Sequence, residues 1–357
     1  MSRIAGIVLP LLIALITFEA GFAAILALSP RMSFPPNSLF RTFYLDQDRS
    51  IVIYQPGCGQ YDPKLTYTFQ PGSCLFKNRE FAVQFDINSA GLRDDEASLI
   101  KPEIIVLGDS HASGWGIAQA ETFPEKLAAA TGFKVLNAAI PSYGTAREMR
   151  LLERLDTQNL KYLVIQYCNN DTTENKSYVD HRGELPITPE AEFDQIRNHY
   201  LTSRHYVPLS YTRYALHYAV RKLHSTFSGW VASHKAYTDE KIANREARHA
   251  ERFLKILAEA KAIPQDTTIF IVTINDVSQD DTLFNQSLTQ AMTEPAFKTN
   301  ALLRRINIVD LDLTYPTHYF NLDEHINAAG HTHVADALVK AIQAHQNPAD
   351  TQDSDQP

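Results

Sequence analysis

Positive charge is in deficit in this chain. Its 33 Lys and Arg stand against 41 Asp and Glu, a formal net charge of −8. No basic stripe offsets that balance, which argues against a nucleic-acid surface and for a domain working on neutral or weakly charged material. Cysteine is scarce, three in 357 residues, so a disulfide-dense scaffold is not expected and one bridge is the most the chain can close within itself. No internal repeat recurs, which argues against a solenoid. The whole chain is 44% hydrophobic and 21% charged, enough for a substantial core in one large or two small domains.

The first apolar run sets the location. After Met-Ser-Arg3 comes IAGIVLPLLIALITFEAGFAAILAL, Ile4 to Leu28, with Glu19 its only ionisable residue. At about 1.5 Å per residue it can cross a hydrocarbon layer ~30 Å thick. A cleaved signal peptide is the rival, with Ile4–Phe18 as its apolar core and Gly21-Phe22-Ala23 as a cleavage site. Apolar character resumes after Glu19, and that favours an uncleaved anchor. Orientation is not set by charge, because Arg3 on one side faces Arg31 and Arg41 on the other. Cys58 and Cys74 bracket the turn-rich GQYDPKLTYTFQPGS. A disulfide between them would need an oxidising compartment, whereas two unpaired thiols would not. Residues 1–29 are therefore read as a membrane anchor or signal segment, with the bulk of the chain periplasmic or otherwise extracytoplasmic.

Pro30 to Pro36 forms a proline-rich exit. Within 30–100 the segments RSIVIYQ, KLTYTFQ and REFAVQFDI carry β-branched and aromatic residues between Pro/Gly turns, the pattern of a small β-rich subdomain. From residue 101 the pattern becomes strand, then helix. Strands are expected at Glu103–Leu107, Lys134–Asn137, Tyr162–Tyr167, Thr267–Thr273 and Ile306–Leu311. Amphipathic stretches follow at Phe123–Ala130, Ala146–Leu155, Ala243–Ala262 and Ile326–Gln343. The alternation predicts an α/β domain over 101–346, a parallel sheet covered on both faces. Residues 172–241, rich in Tyr, His and Arg, are too long for a simple connection. They read either as a surface helical insertion or as a lid over the substrate. The tail 347–357, NPADTQDSDQP, has the composition of a disordered segment.

In an open parallel sheet, ligands bind beyond the carboxyl ends of the strands. The first strand runs into a small polar corner in EIIVLGDSHASGWG, Glu103 to Gly116. Ser110 at that corner could expose its hydroxyl and turn its own N–H toward a developing oxyanion. The second strand ends in LNAAIPSYGT, where an N–H near Ser142 or Gly144 could add a donor. The third ends in QYCNND, where Asn170 offers a side-chain amide. FNLDEHINAAGH, past the fifth strand, holds His325 as general base and Asp323 to orient it. Each part alone has a plain structural reading, as a turn, a helix cap or a surface pair. Their occurrence at successive strand ends is what gives them weight.

In that order and spacing the motifs resemble the SGNH (GDSL-type) hydrolases and acyltransferases, over about 101–171 and 300–343. NSAGLRDDE, Asn88–Glu96, looks like the lead-in found in membrane-anchored bacterial members linked to envelope polysaccharides. The resemblance implies a flavodoxin-like three-layer α/β/α fold and neither metal nor cofactor. It implies Ser110 as nucleophile, Asp323 and His325 as its partners, and an oxyanion hole of the Ser110 N–H, a second-loop N–H and Asn170. Three departures stand out. The second-loop glycine falls on Ser142, the Gly of Gly-x-Asn-Asp is Cys168, and a single residue, Glu324, separates Asp from His. The Asp-x-His spacing is similar to that of alginate-type O-acetyltransferases. It implies an acylated carbohydrate substrate and a membrane acyl-transfer partner.

Other readings fit less well. The elbow Gly-x-Ser-x-Gly is not met, because Ala112 holds the second glycine position. Gly114-Trp115-Gly116 is too little for a dinucleotide loop. His325, His331 and His333 could suggest a metal, but the last two fall in the opening turns of the final helix. An inactive fold of the same type, binding glycan or scaffolding an assembly at the membrane, is the non-enzyme alternative.

Overall fold

A computed structural model of the chain describes residues 2–32, 38–202, 206–232, 239–276 and 281–347. Residues 33–37 of the proline-rich exit, and the tail from 348 on, lie outside the described residues. The N-terminal apolar run forms a single helix, α1 (Ser2–Leu28), long and apolar enough to cross a membrane. Its two halves differ. Ile7, Leu9 and Ile16 are more than half exposed, whereas Phe22 and Leu26, like Ser29 just beyond the helix, are buried against the rest of the protein.

Helix α2 (Ser38–Phe43) passes directly into a π-type turn at Tyr44–Asp48. The expected strand RSIVIYQ is instead a 3-10 turn at Val52–Tyr54. Val52 and Ile53 are consecutive and both buried, which a strand exposed on one face would not allow because it alternates its side chains. Two antiparallel hairpins follow. β1 (Gly59–Asp62) pairs with β2 (Thr66–Phe69), and β3 (Gly72–Lys77) pairs with β4 (Ala82–Ile87). KLTYTFQ and REFAVQFDI supply β2 and β4; their partners, GQYD and GSCLFK, carry little β-propensity of their own. Cys58 and Cys74 are joined by a disulfide with an S–S distance of 2.10 Å.

The remainder is strand-helix alternation: β5 (Ile104–Leu107), α3 (Phe123–Thr131), β6 (Val135–Asn137), α4 (Thr145–Leu152) and β7 (Tyr162–Tyr167). Then come α5 (Asp171–Asp180), α6 (Glu190–Thr202), α7 (Ser210–Ala232), α8 (Asp239–Ala258), β8 (Thr268–Thr273), α9 (Asp281–Met292), β9 (Ile306–Val309) and α10 (Ala328–Gln346). The sheet order is β6-β5-β7-β8-β9, with every pair parallel. This is the flavodoxin-like order, and it places a crevice where the chain reverses direction across the sheet, between β5 and β7.

Both faces of the sheet are covered, so its strands are continuous apolar runs rather than alternating ones. All four residues of β5 and all six of β7 are buried. Successive residues divide between two cores. Ile105, Leu107, Leu163, Ile165, Ile269 and Ile271 face α4, α8 and α9 on one side. Ile104, Val106, Val164, Phe270 and Val272 face α3 and α10 on the other. The result is a three-layer α/β/α arrangement. Phe69, Phe76 and Phe85 of the hairpins belong to the first of these cores, so the 30–100 segment packs into the α/β domain.

The described part of the insertion is mainly helical and leads back to α1. Tyr211 of α7 stacks on Phe22 at 4.8 Å between ring centroids. Glu19, the lone ionisable residue of the apolar run, accepts hydrogen bonds from the Thr212 N–H, the Thr212 hydroxyl and the Tyr206 hydroxyl. A buried carboxylate needs such partners. Glu19 is therefore the clamp between α1 and the insertion.

Candidate active site

Gly108 ends β5 at φ +152°, and a Cβ built there would stand 2.7 Å from Gln166 Oε1 and 2.9 Å from Ala112 Cβ. Only glycine fits. Gln166 Oε1 accepts from the Asp109 N–H at 3.0 Å and the Ala112 N–H at 3.3 Å, which ties the corner to β7. The Asp109 carboxylate accepts from the His111 N–H at 2.9 Å and from Asn170 Nδ2 at 2.6 Å. Burial raises its pKa, with those donors opposing. The lead-in Asn88–Glu96 staples the same corner. Arg93 donates to the carbonyls of Ser113, Gly114 and Ile117, and the Asp94 carboxylate accepts from the Asn137 N–H at the end of β6.

Ser110 is turned toward the loop that follows β9. Its Oγ lies 2.7 Å from His325 Nε2, and His325 Nδ1 lies 2.5 Å from Asp323 Oδ1. A carboxylate only accepts, so His325 Nδ1 carries the hydrogen and Nε2 is left to accept from the Ser110 hydroxyl. All three residues are buried. The Trp115 indole lies flat on the His325 imidazole, 4.5 Å between centroids and 13° from parallel.

Asp323 is densely solvated by protein. Its Oδ2 accepts from Tyr44 Oη at 2.7 Å and Trp115 Nε1 at 3.2 Å, and Arg49 Nη1 stands 3.7 Å from Oδ1. Burial alone would raise its pKa. The His325 imidazole, Arg49 and the Tyr44 hydroxyl outweigh that and hold the carboxyl well below its usual range. Beneath the loop, Glu80 in the β3–β4 turn accepts from three successive backbone N–H groups, those of Asn321, Leu322 and Asp323, at 2.8–2.9 Å.

Glu80 also carries a pH signature. Burial first, and then the Asp323 charge, push its pKa up to about 7 despite the three donors. A carboxyl raised in the folded state destabilises the fold once it must ionise, so this contribution falls from about pH 4.5 to pH 7. Its size is about 3 kcal/mol, at 1.36 kcal/mol for each pKa unit. Glu80→Gln is expected to flatten that part of the stability profile. Thermal midpoints of both proteins at pH 5 and pH 8 check it, and an unchanged slope in the variant would assign the dependence elsewhere.

The three oxyanion candidates end at the same edge of the sheet but differ in what they already bind. The N–H groups of Ser110 and Ser142 have no acceptor among the described residues. Gly144 N–H is taken by Glu174 Oε1 at 3.1 Å, which removes it as the second-loop donor. Ser142 has φ +61°, the left-handed conformation that glycine adopts most readily, so the serine takes up the backbone shape its position demands. One Asn170 amide hydrogen goes to Asp109, and the other has no acceptor among the described residues. Cys168 is buried beside these loops as a free thiol, and burial pushes its pKa well up.

His111, Cys168 and Asp276 bring one ligand atom each within 4.8 Å of one another. Tetrahedral ligands at bond lengths of about 2.0–2.3 Å stand closer, about 3.5 Å apart, so the three would have to close up to hold an ion. His331 is engaged in structure. Its Nδ1 accepts from the Phe123 N–H at the start of α3, and burial pushes its pKa down to about 3.

Tyr44, Arg49, Glu80 and Trp115 were not foreseen from sequence. Trp115 alone had a local signal, its place between two glycines just after the Gly-Asp-Ser corner.

No family model matches the chain, and no curated protein matches it. Among solved structures it is similar to a carbohydrate esterase family 2 enzyme with a carbohydrate-binding domain from Corynascus thermopiles (Myceliophthora fergusii). That match has 14% identity, 69% of this chain and 67% of that one covered, and TM-score 0.40. It is also similar to an acetyl xylan esterase from Butyrivibrio proteoclasticus, with 10% identity, 68% and 64% covered, and TM-score 0.36. A GDSL-like lipase from Bacteroides thetaiotaomicron matches at 12% identity, 70% and 94% covered, and TM-score 0.35. At such values the architecture rests on the strand order and register described above.

Proposed function

We propose that the protein is a serine-dependent acyl-transfer enzyme, an esterase or O-acyltransferase acting on O-acyl groups of an envelope or extracellular polysaccharide. The observation that carries this reading is the unbroken chain from Ser110 Oγ through His325 to Asp323 at the carboxyl edge of the sheet. Ser110 attacks the ester carbonyl while His325 Nε2 takes its proton. The tetrahedral oxyanion is held by the N–H groups of Ser110 and Ser142 and by the Asn170 amide. The sugar alcohol leaves with the proton from His325, and the acyl group stays on Ser110. Water then yields free acid, or a second sugar hydroxyl yields the transferred ester, with His325 again serving as base. The carbohydrate class rests on the Asp-x-His spacing that the chain shares with alginate-type O-acetyltransferases.

The same reading keeps α1 as an uncleaved anchor and places the bulk of the chain outside the cytoplasm. Buried Phe22 and Leu26 support retention of the helix, and the Cys58–Cys74 bridge supports an oxidising compartment. Residues 101–346 would carry the chemistry, with 30–100 buttressing the Asp323 loop.

The test is acyl release from an acetylated polysaccharide, with and without an unacetylated sugar acceptor, by wild type and Asn170→Ala. Release to water marks an esterase and transfer to the acceptor a transferase. Asn170→Ala is expected to lower kcat about 10²–10³-fold with KM little changed, the usual loss for one oxyanion donor. An unchanged kcat would take Asn170 out of the oxyanion hole.

A further inference from the structure

We infer that the apolar N-terminal helix α1 is also a positioning element of the catalytic centre, and that its C-terminal end, with the 3-10 turn that follows it, seats the loop carrying Asp323 and His325. The inference rests on the acyl-transfer reading for its consequence and on separate contacts for its geometry. β9 ends at Val309. From there to α10 the backbone has one isolated bridge, Tyr319 to Ile326, so the sheet by itself does not fix where residues 321–325 lie.

Glu80 ties their backbone from below, and the N-terminal segment holds their side chains. Asn321 Nδ2 donates to the carbonyls of Ser29 at 3.1 Å and Met32 at 2.9 Å. Both carbonyls lie in the 3-10 turn that directly follows α1, Ser29–Arg31 with Met32 as its cap, and the Ser29 carbonyl also accepts from the Met32 N–H. Leu322 is fully buried in one apolar cluster with Phe22 and Leu26 of α1, Phe43 of α2 and Tyr44 of the π-type turn. Tyr44 of that cluster then donates to Asp323. Three consecutive loop residues thus each take a contact from the first 44 residues of the chain.

The imidazole must sit within a few tenths of an ångström of its productive place, and an error of about 1 Å costs on the order of 100-fold in rate. A helix that seats the loop therefore controls turnover without touching substrate. It also gives the second half of α1 a role that an anchor alone does not require.

The experiment uses the full-length protein in lipid nanodiscs. Asn321→Ala removes the two carbonyl contacts and Leu26→Ala loosens the cluster; Ile16→Ala, on the exposed part of the same helix, is the control. With p-nitrophenyl acetate, the first two are each expected to lower kcat about 10–100-fold with KM within about twofold. They should also weaken the far-downfield proton resonance of His325 Nδ1–H, which reports its hydrogen bond to Asp323. Ile16→Ala should alter neither. Wild-type kcat and an intact resonance in both Asn321→Ala and Leu26→Ala would overturn the inference. Full turnover by Ser110→Ala would instead overturn the acyl-transfer reading, and the resonance would still decide the role of the helix.

Discussion

Ser110→Ala is expected to lower kcat for p-nitrophenyl acetate about 10⁴–10⁶-fold, the range seen when a nucleophile that works as one unit with its base is removed. No neighbouring group can substitute. The Ser113 hydroxyl is committed to the Ser110 carbonyl, to which it donates at 3.2 Å. The Cys168 thiol is held protonated by burial. The residual rate would come from oxyanion donors and substrate binding, which survive the change. Stability should move by less than about 1 kcal/mol, because a single hydroxyl-imidazole hydrogen bond is lost. A fluorophosphonate probe gives an independent readout, labelling wild type and not the variant. A wild-type protein that neither turns over ester nor takes the label would favour the glycan-binding or scaffolding alternative.

The sheet was legible because its strands are short, continuous apolar runs such as IIVL and YLVIQY, which have no stable arrangement except between two covering layers. Their carboxyl ends then named the site loops. RSIVIYQ misled because a run of β-branched residues satisfies a buried turn as well as a strand. The strands GQYD and GSCLFK were invisible because their pairing comes from the neighbouring strand and not from their own side chains. The choice between Ser142 and Gly144 depended on which N–H Glu174 occupies, a contact made 30 residues away in the chain. The same holds more strongly for Tyr44, Arg49 and Glu80. They lie 240–280 residues before the loop they hold, and nothing in their local sequence distinguishes them from surface residues. What sequence marks well is the group that does chemistry at a strand end; what it conceals is the support brought in from elsewhere.

Asp323→Asn should separate those two kinds of residue. The substitution is nearly isosteric and leaves Ser110 and His325 in place, yet kcat is expected to fall about 10⁴-fold with KM nearly unchanged. The cause is the tautomer. Asp323 Oδ1 can only accept, which keeps the hydrogen on His325 Nδ1 and the lone pair on Nε2 toward Ser110. Oδ2 is already committed to the Tyr44 hydroxyl and the Trp115 N–H. An asparagine carbonyl would be drawn to those two donors, leaving its NH₂ facing His325 Nδ1. The hydrogen would then move to Nε2, where it cannot take the Ser110 proton. Tyr44→Phe should cost far less, about tenfold, since Trp115 and Arg49 still hold the carboxylate. The pH dependence of stability supplies a second check. A carboxyl whose folded pKa is depressed stabilises the fold above its unfolded value near 4, and that contribution is lost as pH falls through the folded value. Asp323→Asn should therefore weaken the loss of stability in acid below about pH 4, whereas Tyr44→Phe should largely preserve it. If Asp323→Asn keeps wild-type kcat, the carboxylate is a structural charge, and the orientation of His325 is set by the Trp115 stack and the Ser110 contact.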